Sequence, residues 1–313
     1  DGQVTTEFTS LQQSLAWLGF SSNIASDSFR LATRLSGADG RWKLADVDLR
    51  IGESRAGGAL EALTTNGARE VSGTLAFDTL PLEPFLPNIE KLLFGATSPD
   101  GPPGKLDLRL SAERAQIAGF ELTGIAASAN LSDGRASFLV SDAALLGGMI
   151  EAGIRNEAGI CTVFAKAKGL STGQLANHFG KASLGDASLD AAFSLAGPFE
   201  RWSAFLGGAK GEFNAAMGEG LLLSPDLEAF KEQIGAAAFF SLADIAPALQ
   251  PTSGGVLKAT LEDGLARIDM LETGIGGERI VLRGVTGLSD QSLALTAQVV
   301  STSDLSRSYM SML

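Results

Sequence analysis

The feature that most constrains the fold of this chain is the alternation of apolar and polar residues along most of its length. The run Leu106-Asp107-Leu108-Arg109-Leu110 is one of about a dozen such stretches. Because successive side chains of a β-strand point to opposite faces, each stretch predicts a strand with one apolar and one polar face. No stretch approaches the roughly 18 consecutive apolar residues of a membrane-spanning helix. The chain is therefore predicted to be mainly β.

Turn signals divide these stretches into hairpins. Asp39-Gly40, Asp133-Gly134 and Asp263-Gly264 each precede an alternating run, and a two-residue hairpin turn needs the positive φ that glycine adopts without strain. The spacing between these units is irregular, which argues against a solenoid. Gly-Gly pairs and Gly124 are interpreted as bends and bulges. We expect a long antiparallel meander.

Helical periodicity is confined to a few short segments. These are residues 8–18, 81–94 and 171–179 with Ser171 as N-cap, a stretch running to about Leu249, and a tail after Ser303. A further helix is opened by Ser224-Pro225-Asp226, with the Ser224 hydroxyl as cap and proline at the first position, and ends at Gly235. The expected fold class is a long curled antiparallel β-sheet, a meander with a taco-like groove, and a few short amphipathic helices.

The domain organisation is predicted from the segment 95–104, which is rich in proline and glycine. We interpret it as a crossover between an N-terminal β-meander, 1–94, with flanking helices, and a C-terminal β region, 105–313. The two regions are expected to be continuous as one elongated domain. The chain begins without an initiator Met, so we expect it to be part of something longer.

Composition and isolated reactive residues exclude several functions. A net charge of -12 without a Lys/Arg cluster argues against a nucleic-acid partner. Cys161 is the one cysteine and His178 the one histidine, too few for a metal site. Asp46 and Asp48 beside Arg50 fit a solvated strand face. We expect no enzyme activity and no cofactor, because no nucleophile, base and orienting group can be assembled.

The apolar strand faces have to be covered, and the predicted helices are too few to cover one open sheet. Three arrangements satisfy this requirement: a closed barrel, a two-layer sandwich, or a curled sheet whose concave apolar face receives an apolar ligand. The pattern of residues alone leaves all three open.

Several turn-and-strand patterns resemble the AsmA family of bacterial envelope proteins. They lie at residues 44–52, 57–60 and 71–75, at 122–125 with 133–134 and 147–152, and at 211–222 leading into the helical segment 227–234. The resemblance implies a periplasmic protein with an N-terminal inner-membrane anchor outside this chain. It also implies similarity to bridge-like lipid transfer proteins, in which a curled sheet forms an apolar trough for phospholipid. The family has no ligand motif to transfer residue by residue.

The function expected from this resemblance is phospholipid transport along an apolar groove between the inner and outer membranes, in support of outer-membrane biogenesis. Its partners would be phospholipid acyl chains, the inner-membrane anchor and an outer-membrane partner. The alternative is a non-enzymatic envelope scaffold that assists outer-membrane protein assembly. The residues predicted to line the groove are Leu49, Ile51, Leu106, Leu108, Leu110, Leu189, Phe193, Leu195, Leu257, Leu261, Ile280, Leu282, Leu293 and Leu295.

Overall fold

A computed structural model describes residues 2–8, 29–65, 68–80, 104–132, 134–180, 185–199, 201–236, 244–287, 293–301 and 308–312. These residues form eighteen strands and three short helices, so the mainly-β prediction is confirmed. The strands are β1 (Gly2–Phe8), β2 (Phe29–Ala38), β3 (Arg41–Ile51), β4 (Ser54–Thr65), β5 (Ala68–Leu80), β6 (Gly104–Ile117), β7 (Phe120–Ser132), β8 (Arg135–Leu145), β9 (Gly148–Glu157), β10 (Ile160–Ser171), β11 (Ser188–Pro198), β12 (Lys210–Met217), β13 (Gly220–Pro225), β14 (Pro247–Glu262), β15 (Leu265–Ile275), β16 (Glu278–Gly287), β17 (Leu293–Ser301) and β18 (Ser308–Met312). The helices are α1 (Thr172–His178), α2 (Trp202–Gly208) and α3 (Leu227–Ala236).

The chain divides into two compact units. Unit 1 comprises Asp1–Leu145, Ile150–Phe164 and Ala196–Phe205. Unit 2 comprises Leu146–Met149, Ala165–Leu195 and Leu206–Leu313.

In unit 1, strands β1 to β8 form a ladder in chain order. The neighbours are antiparallel except β5 and β6, which are parallel, with Arg69 aligned with Gly104 and Leu80 with Ala115. The sheet is therefore mixed, where the sequence predicted only antiparallel pairs. Parallel neighbours require a crossover connection, and the segment 95–104 lies between these two strands in the chain. Of that segment, only Gly104 is within the described residues, and it is the first residue of β6.

The predicted Asp-Gly turns are present. Asp39 and Gly40 have φ of 52° and 80°, and Asp263 and Gly264 have 51° and 74°, as a type I′ hairpin turn requires. At the third turn Gly134 has φ 72°, while Asp133 lies outside the described residues. The same geometry occurs at pairs that the sequence analysis did not recognise as hairpin turns: Ala118-Gly119, Leu146-Gly147, Ala158-Gly159 and Gly276-Gly277.

Bulges interrupt the ladder of unit 1. The bulge predicted at Gly124 is confirmed, because the β7–β8 register shifts between Thr123 and Ala126 and Gly124 has φ 61°. A second register shift lies between Leu44 and Val47 of β3, and Asp46 there has φ 52°. The extra residue restores Val47 to the apolar face after the alternation breaks.

In unit 2, the long strand β14 has two partners on one edge. Residues 211–217 of β12 pair with 255–261, and residues 220–225 of β13 pair with 247–252. Strands β14 to β18 then follow one another in antiparallel order. This part is the meander that the sequence predicted.

The helix termini partly match the prediction. Helix α1 has the predicted cap, because Ser171 Oγ accepts a hydrogen bond from the Gln174 N–H at 3.1 Å. The cap predicted for α3 was wrong: the Asp226 carboxylate accepts from the Glu228 N–H at 2.9 Å and the Ala229 N–H at 3.3 Å. Ser224 and Pro225 instead end β13, because pairing with β14 continues through them.

Other helix predictions were wrong or fall outside the described residues. Phe8 is in β1, whereas residues 9–28 and 81–103 lie outside the described part. Residues 247–249 belong to β14 and 308–312 form β18. Short apolar runs do not distinguish helix from strand by periodicity, and here the neighbouring strands decide. No helix in the described part of the chain is long and apolar enough to cross a membrane.

Candidate functional site: the apolar sheet faces

The strongest candidate site is an apolar surface on one side of the unit 1 sheet, which we call the unit 1 apolar face. Residues aligned across neighbouring strands point to the same side of a sheet. Two adjacent rows define this face: Leu44, Leu60, Gly73, Leu108, Ala129 and Phe138, and Val47, Gly58, Leu75, Leu110, Ala127 and Val140. Six consecutive strands, β3 to β8, therefore present one continuous apolar surface.

Burial varies along this face. Leu75, Phe77, Ala112 and Ile125 are buried together in the core of the unit. Leu108 is only half-buried. The face thus has a closely packed part and a part that remains partly open to solvent.

The structure brings the predicted residues of this unit to the same side of the sheet. Leu49 is buried and belongs to the core, and Ile51 and Leu110 pack against it. Leu106 and Leu108 are half-buried. Other members of the face were not predicted from the sequence as groove residues, namely Leu44, Val47, Leu60, Leu75, Phe138 and Val140. Their alternation is visible in the sequence, but the shared face becomes clear only from the register.

Unit 2 has a corresponding surface, which we call the unit 2 apolar face. One row contains Ala215, Leu257, Leu271, Leu282 and Ala297, and the next contains Phe213, Ala259, Ile268, Gly284 and Leu295. Phe213 remains 37% exposed on this apolar side. Leu261 is buried, and Leu293 aligns with Thr286 of β16.

The predicted residues of β11 also share one side of their strand. Leu189, Phe193 and Leu195 are half-buried, while Asp190 and Ser194 between them are exposed. This is the alternation that the sequence indicates. The β11 candidates are therefore placed as one apolar strand face.

Helix α3 covers part of the unit 2 apolar face. Phe230 of α3 packs with Ile245 and Val299, and Ile280 lies against this cluster. Ile280 is therefore covered by the cluster that contains Phe230 of α3, whereas the other groove candidates of this unit whose side chains the structure describes are not part of that cluster. Sequence analysis had grouped it with the groove residues because its alternation is the same.

An ion pair holds α3 at this position. Lys231 Nζ lies 2.7 Å from Glu278 Oε1 and 3.1 Å from Glu228 Oε1. The side chains of Lys231 and Glu278 are 27% and 11% exposed. The hydrogen bond to Glu278 raises the pKa of Lys231 above its ordinary value. The contact keeps a charged lysine between the helix and β16.

The opposite sides of the sheets carry charged residues. Ion pairs there include Arg34 with Asp46 at 2.9 Å in unit 1 and Arg279 with Glu272 at 2.6 Å in unit 2. These side chains are one third or more exposed, and such surface pairs contribute little to stability. The main physical contrast is therefore between an apolar and a polar side of the strands in each unit.

Cys161 and His178, the reactive residues singled out in the sequence, lie in ordinary packing environments. Burial raises the pKa of Cys161 to about 11, so this residue is a thiol at neutral pH. His178 ends α1 and contacts the Phe179 ring edge-on, with centroids 5.3 Å apart. In the described residues, no three His, Cys, Asp or Glu side chains are grouped as metal ligands.

Two surface concavities lie away from the predicted groove residues. One is bordered by Thr33, Arg34, Asp46 and Asp48 in unit 1. The other surrounds residues 251–255 of β14 in unit 2. Both contain polar side chains, and neither includes a predicted groove residue among the described linings.

Comparison with known proteins gives no match to a protein-family model, to a curated protein or to a solved structure. The resemblance to the AsmA family therefore rests on the sequence patterns alone.

Proposed function

We propose that this chain is a non-enzymatic, AsmA-like lipid conduit of the periplasm, tethered to the inner membrane by a helix outside the chain. It would carry phospholipid acyl chains along its apolar sheet faces toward the outer membrane and so support outer-membrane biogenesis. The observation that supports this most is the unit 1 apolar face, which is continuous over six strands and only half-buried around Leu108.

The energetics of lipid transfer explain why such a face is useful. Two acyl chains of about 16 carbons lose about 0.8 kcal/mol of favourable free energy per CH₂ when exposed to water, roughly 25 kcal/mol in total. An apolar surface that contacts the chains removes much of this cost, while the head group stays in water. No covalent step is needed, so the proposed function requires no catalytic residue.

Replacement of Leu108 by Glu tests the proposal. Leu108 aligns with Gly73 and Ala129, so a carboxylate there is placed between two small residues on the apolar face. We expect phospholipid, measured by mass spectrometry after solvent extraction of detergent-free protein, to decrease several-fold. Circular dichroism and thermal melting should show that the variant still folds.

A matched control places the same charge on the other side of β6. Ser111 is exposed and aligns with Ala76 and Ala126, so Ser111→Glu should leave bound phospholipid unchanged. Leu295→Glu makes the corresponding test in unit 2. The proposal would be refuted if the wild-type protein contained no phospholipid. It would also be refuted if the Leu108→Glu and Leu295→Glu variants retained their phospholipid fully.

An envelope scaffold is the alternative function, and a patch on the polar side of unit 2 favours it. Leu221 and Leu249 are 44% and 55% exposed, and Leu249 aligns with Leu223 across β13 and β14. Exposed apolar patches often mark protein contacts. This alternative predicts a filled core, no co-purifying lipid and binding to outer-membrane proteins during assembly that Leu249→Ser weakens.

A further inference from the structure

Three arginines stand side by side on the polar side of unit 1, although the whole chain is acidic. Arg30 of β2 aligns with Arg50 of β3, and Arg50 aligns with Arg55 of β4. We call these three residues the arginine row. Directly opposed residues have Cα atoms about 4.5–5.5 Å apart, and like charges so placed repel each other. The row therefore concentrates positive charge in a chain whose net charge is -12.

Acidic residues neighbour the arginine row along the strands, and Asp48 precedes Arg50 by two residues on the same face of β3. At the β1 end of the row, Glu7 aligns with Arg30. At the β5 end, Asp78 Oδ1 accepts a hydrogen bond from the Arg55 backbone N–H at 2.8 Å. This bond is the main reason why the pKa of Asp78 is lowered, and the Arg55 charge adds to the effect. Arg50 lies between two cations.

Arg50 also has an unused hydrogen-bond donor. Its side chain is half-buried, and its Nε is buried without a hydrogen-bond partner. A buried donor without a partner costs about 1–3 kcal/mol. The buried Nε is itself closed to solvent, but an oxyanion beside the guanidinium would reduce the repulsion within the row.

The position of the row suits the phosphate group of a lipid. Arg50 and Arg55 flank the turn between β3 and β4, so the row lies at the rim of the sheet. Ile51, next to Arg50, packs against the apolar core on the other side. Guanidinium groups bind phosphate oxygens through paired N–H donors. The same rim thus carries guanidinium groups that can bind phosphate and, on the other side of the sheet, apolar residues that can contact acyl chains.

We propose that the arginine row binds the phosphate groups of anionic phospholipid at a membrane surface and so docks the rim of unit 1 there. This inference rests on the proposed lipid function and specifies where that function contacts a bilayer.

Vesicle flotation tests the proposal with the whole chain. Wild-type protein should float with vesicles of phosphatidylcholine and phosphatidylglycerol and should bind phosphatidylcholine vesicles less. Each basic residue near an anionic surface contributes about fivefold to the partition coefficient. We therefore expect Arg50→Gln and Arg55→Gln each to lower it about fivefold. Arg55 is exposed, so Arg55→Gln tests the row without disturbing packed atoms.

Arg109→Gln is the matched control. Arg109 is exposed on the same sheet, aligns with the uncharged Thr74 and Ser128, and lies outside the arginine row. Its replacement removes one charge and should leave flotation near the wild-type value. The proposal would be overturned by equal losses of flotation in all three variants or by wild-type flotation of Arg50→Gln and Arg55→Gln. It would also be overturned if the wild-type protein did not float.

Phospholipid extraction separates this proposal from the proposed function. If the arginine variants lose flotation but the wild type contains no phospholipid, the docking site stands and the conduit fails. If phospholipid co-purifies and Leu108→Glu removes it, while Arg50→Gln floats like the wild type, the conduit stands and the docking site fails.

Discussion

At the scale of single residues, Gly73 shows how closely the strands of the unit 1 apolar face approach each other. Its φ is +151°, and a Cβ built there would lie 2.2 Å from the Ala59 carbonyl oxygen and 2.9 Å from Leu60 Cα. These neighbours are backbone atoms, so they cannot move away as a flexible side chain could. We expect Gly73→Ala to lower the free energy of unfolding by about 1–3 kcal/mol, measured by urea denaturation.

Gly235 provides the control for that substitution. It lies in α3, and a Cβ there would have no atom within 4 Å. Alanine is favoured over glycine in a helix by up to about 1 kcal/mol, so Gly235→Ala should maintain or slightly raise stability. A similar loss in both variants would show that the close approach at Gly73 is not the cause.

At the scale of elements, the pair Lys231–Glu278 joins α3 to β16. Lys231→Met removes the cation and leaves the largely buried Glu278 carboxylate without it. We expect the free energy of unfolding to fall by about 2 kcal/mol at neutral pH. Adding Glu278→Leu should recover part of this loss, because the double variant no longer buries the carboxylate that Lys231 faces.

The pH dependence of this loss has a defined sign. The folded-state pKa of Lys231 is raised above its ordinary 10.5 by the hydrogen bond to Glu278. The stabilisation is therefore complete below pH 10.5 and disappears as the pH rises through the higher folded-state pKa. Urea titrations should show wild type and Lys231→Met converging in strongly alkaline solution. A constant difference across that range would contradict the ion-pair explanation.

Local sequence signals predicted many elements well. Alternation located most of the strands, and Asp-Gly located two described turns, because both signals act between residues close in the chain. Alternation also placed Leu106, Leu108 and Leu110 on one side of β6. The cap of α3 was misplaced because Ser224 is also a favourable cap residue, and only the pairing of β13 with β14 assigns it to a strand.

Features that depend on distant residues could not be predicted. Nothing near Arg69 or Gly104 indicates that β5 and β6 are parallel. The arginine row arises from the register of three strands, and the difference in burial between Leu49 and Leu108 arises from what packs against each. The sequence identified the apolar faces, while the structure distinguishes their packed and half-open parts.

At the scale of the whole molecule, net charge and exposed apolar residues act in opposite directions. The charge of -12 at pH 7 keeps molecules apart, and this repulsion vanishes near the isoelectric point, pH 4.6. Leu249 and Leu221 remain exposed on the polar side of unit 2 whatever the pH. We expect the chain to self-associate as the pH approaches 4.6, with light scattering as the measurement.

The patch at Leu249 should account for much of this association. Leu249→Ser, which leaves the charge unchanged, should reduce scattering near pH 4.6 at equal protein concentration. Leu265 is comparably exposed at 52% but stands opposite Glu262 rather than another leucine, so Leu265→Ser should have a smaller effect. Equal reductions would mean that exposed apolar area in general drives association, because apolar contact depends on area removed from water wherever it lies. A larger effect at Leu249 would identify the β13–β14 patch as the contact surface.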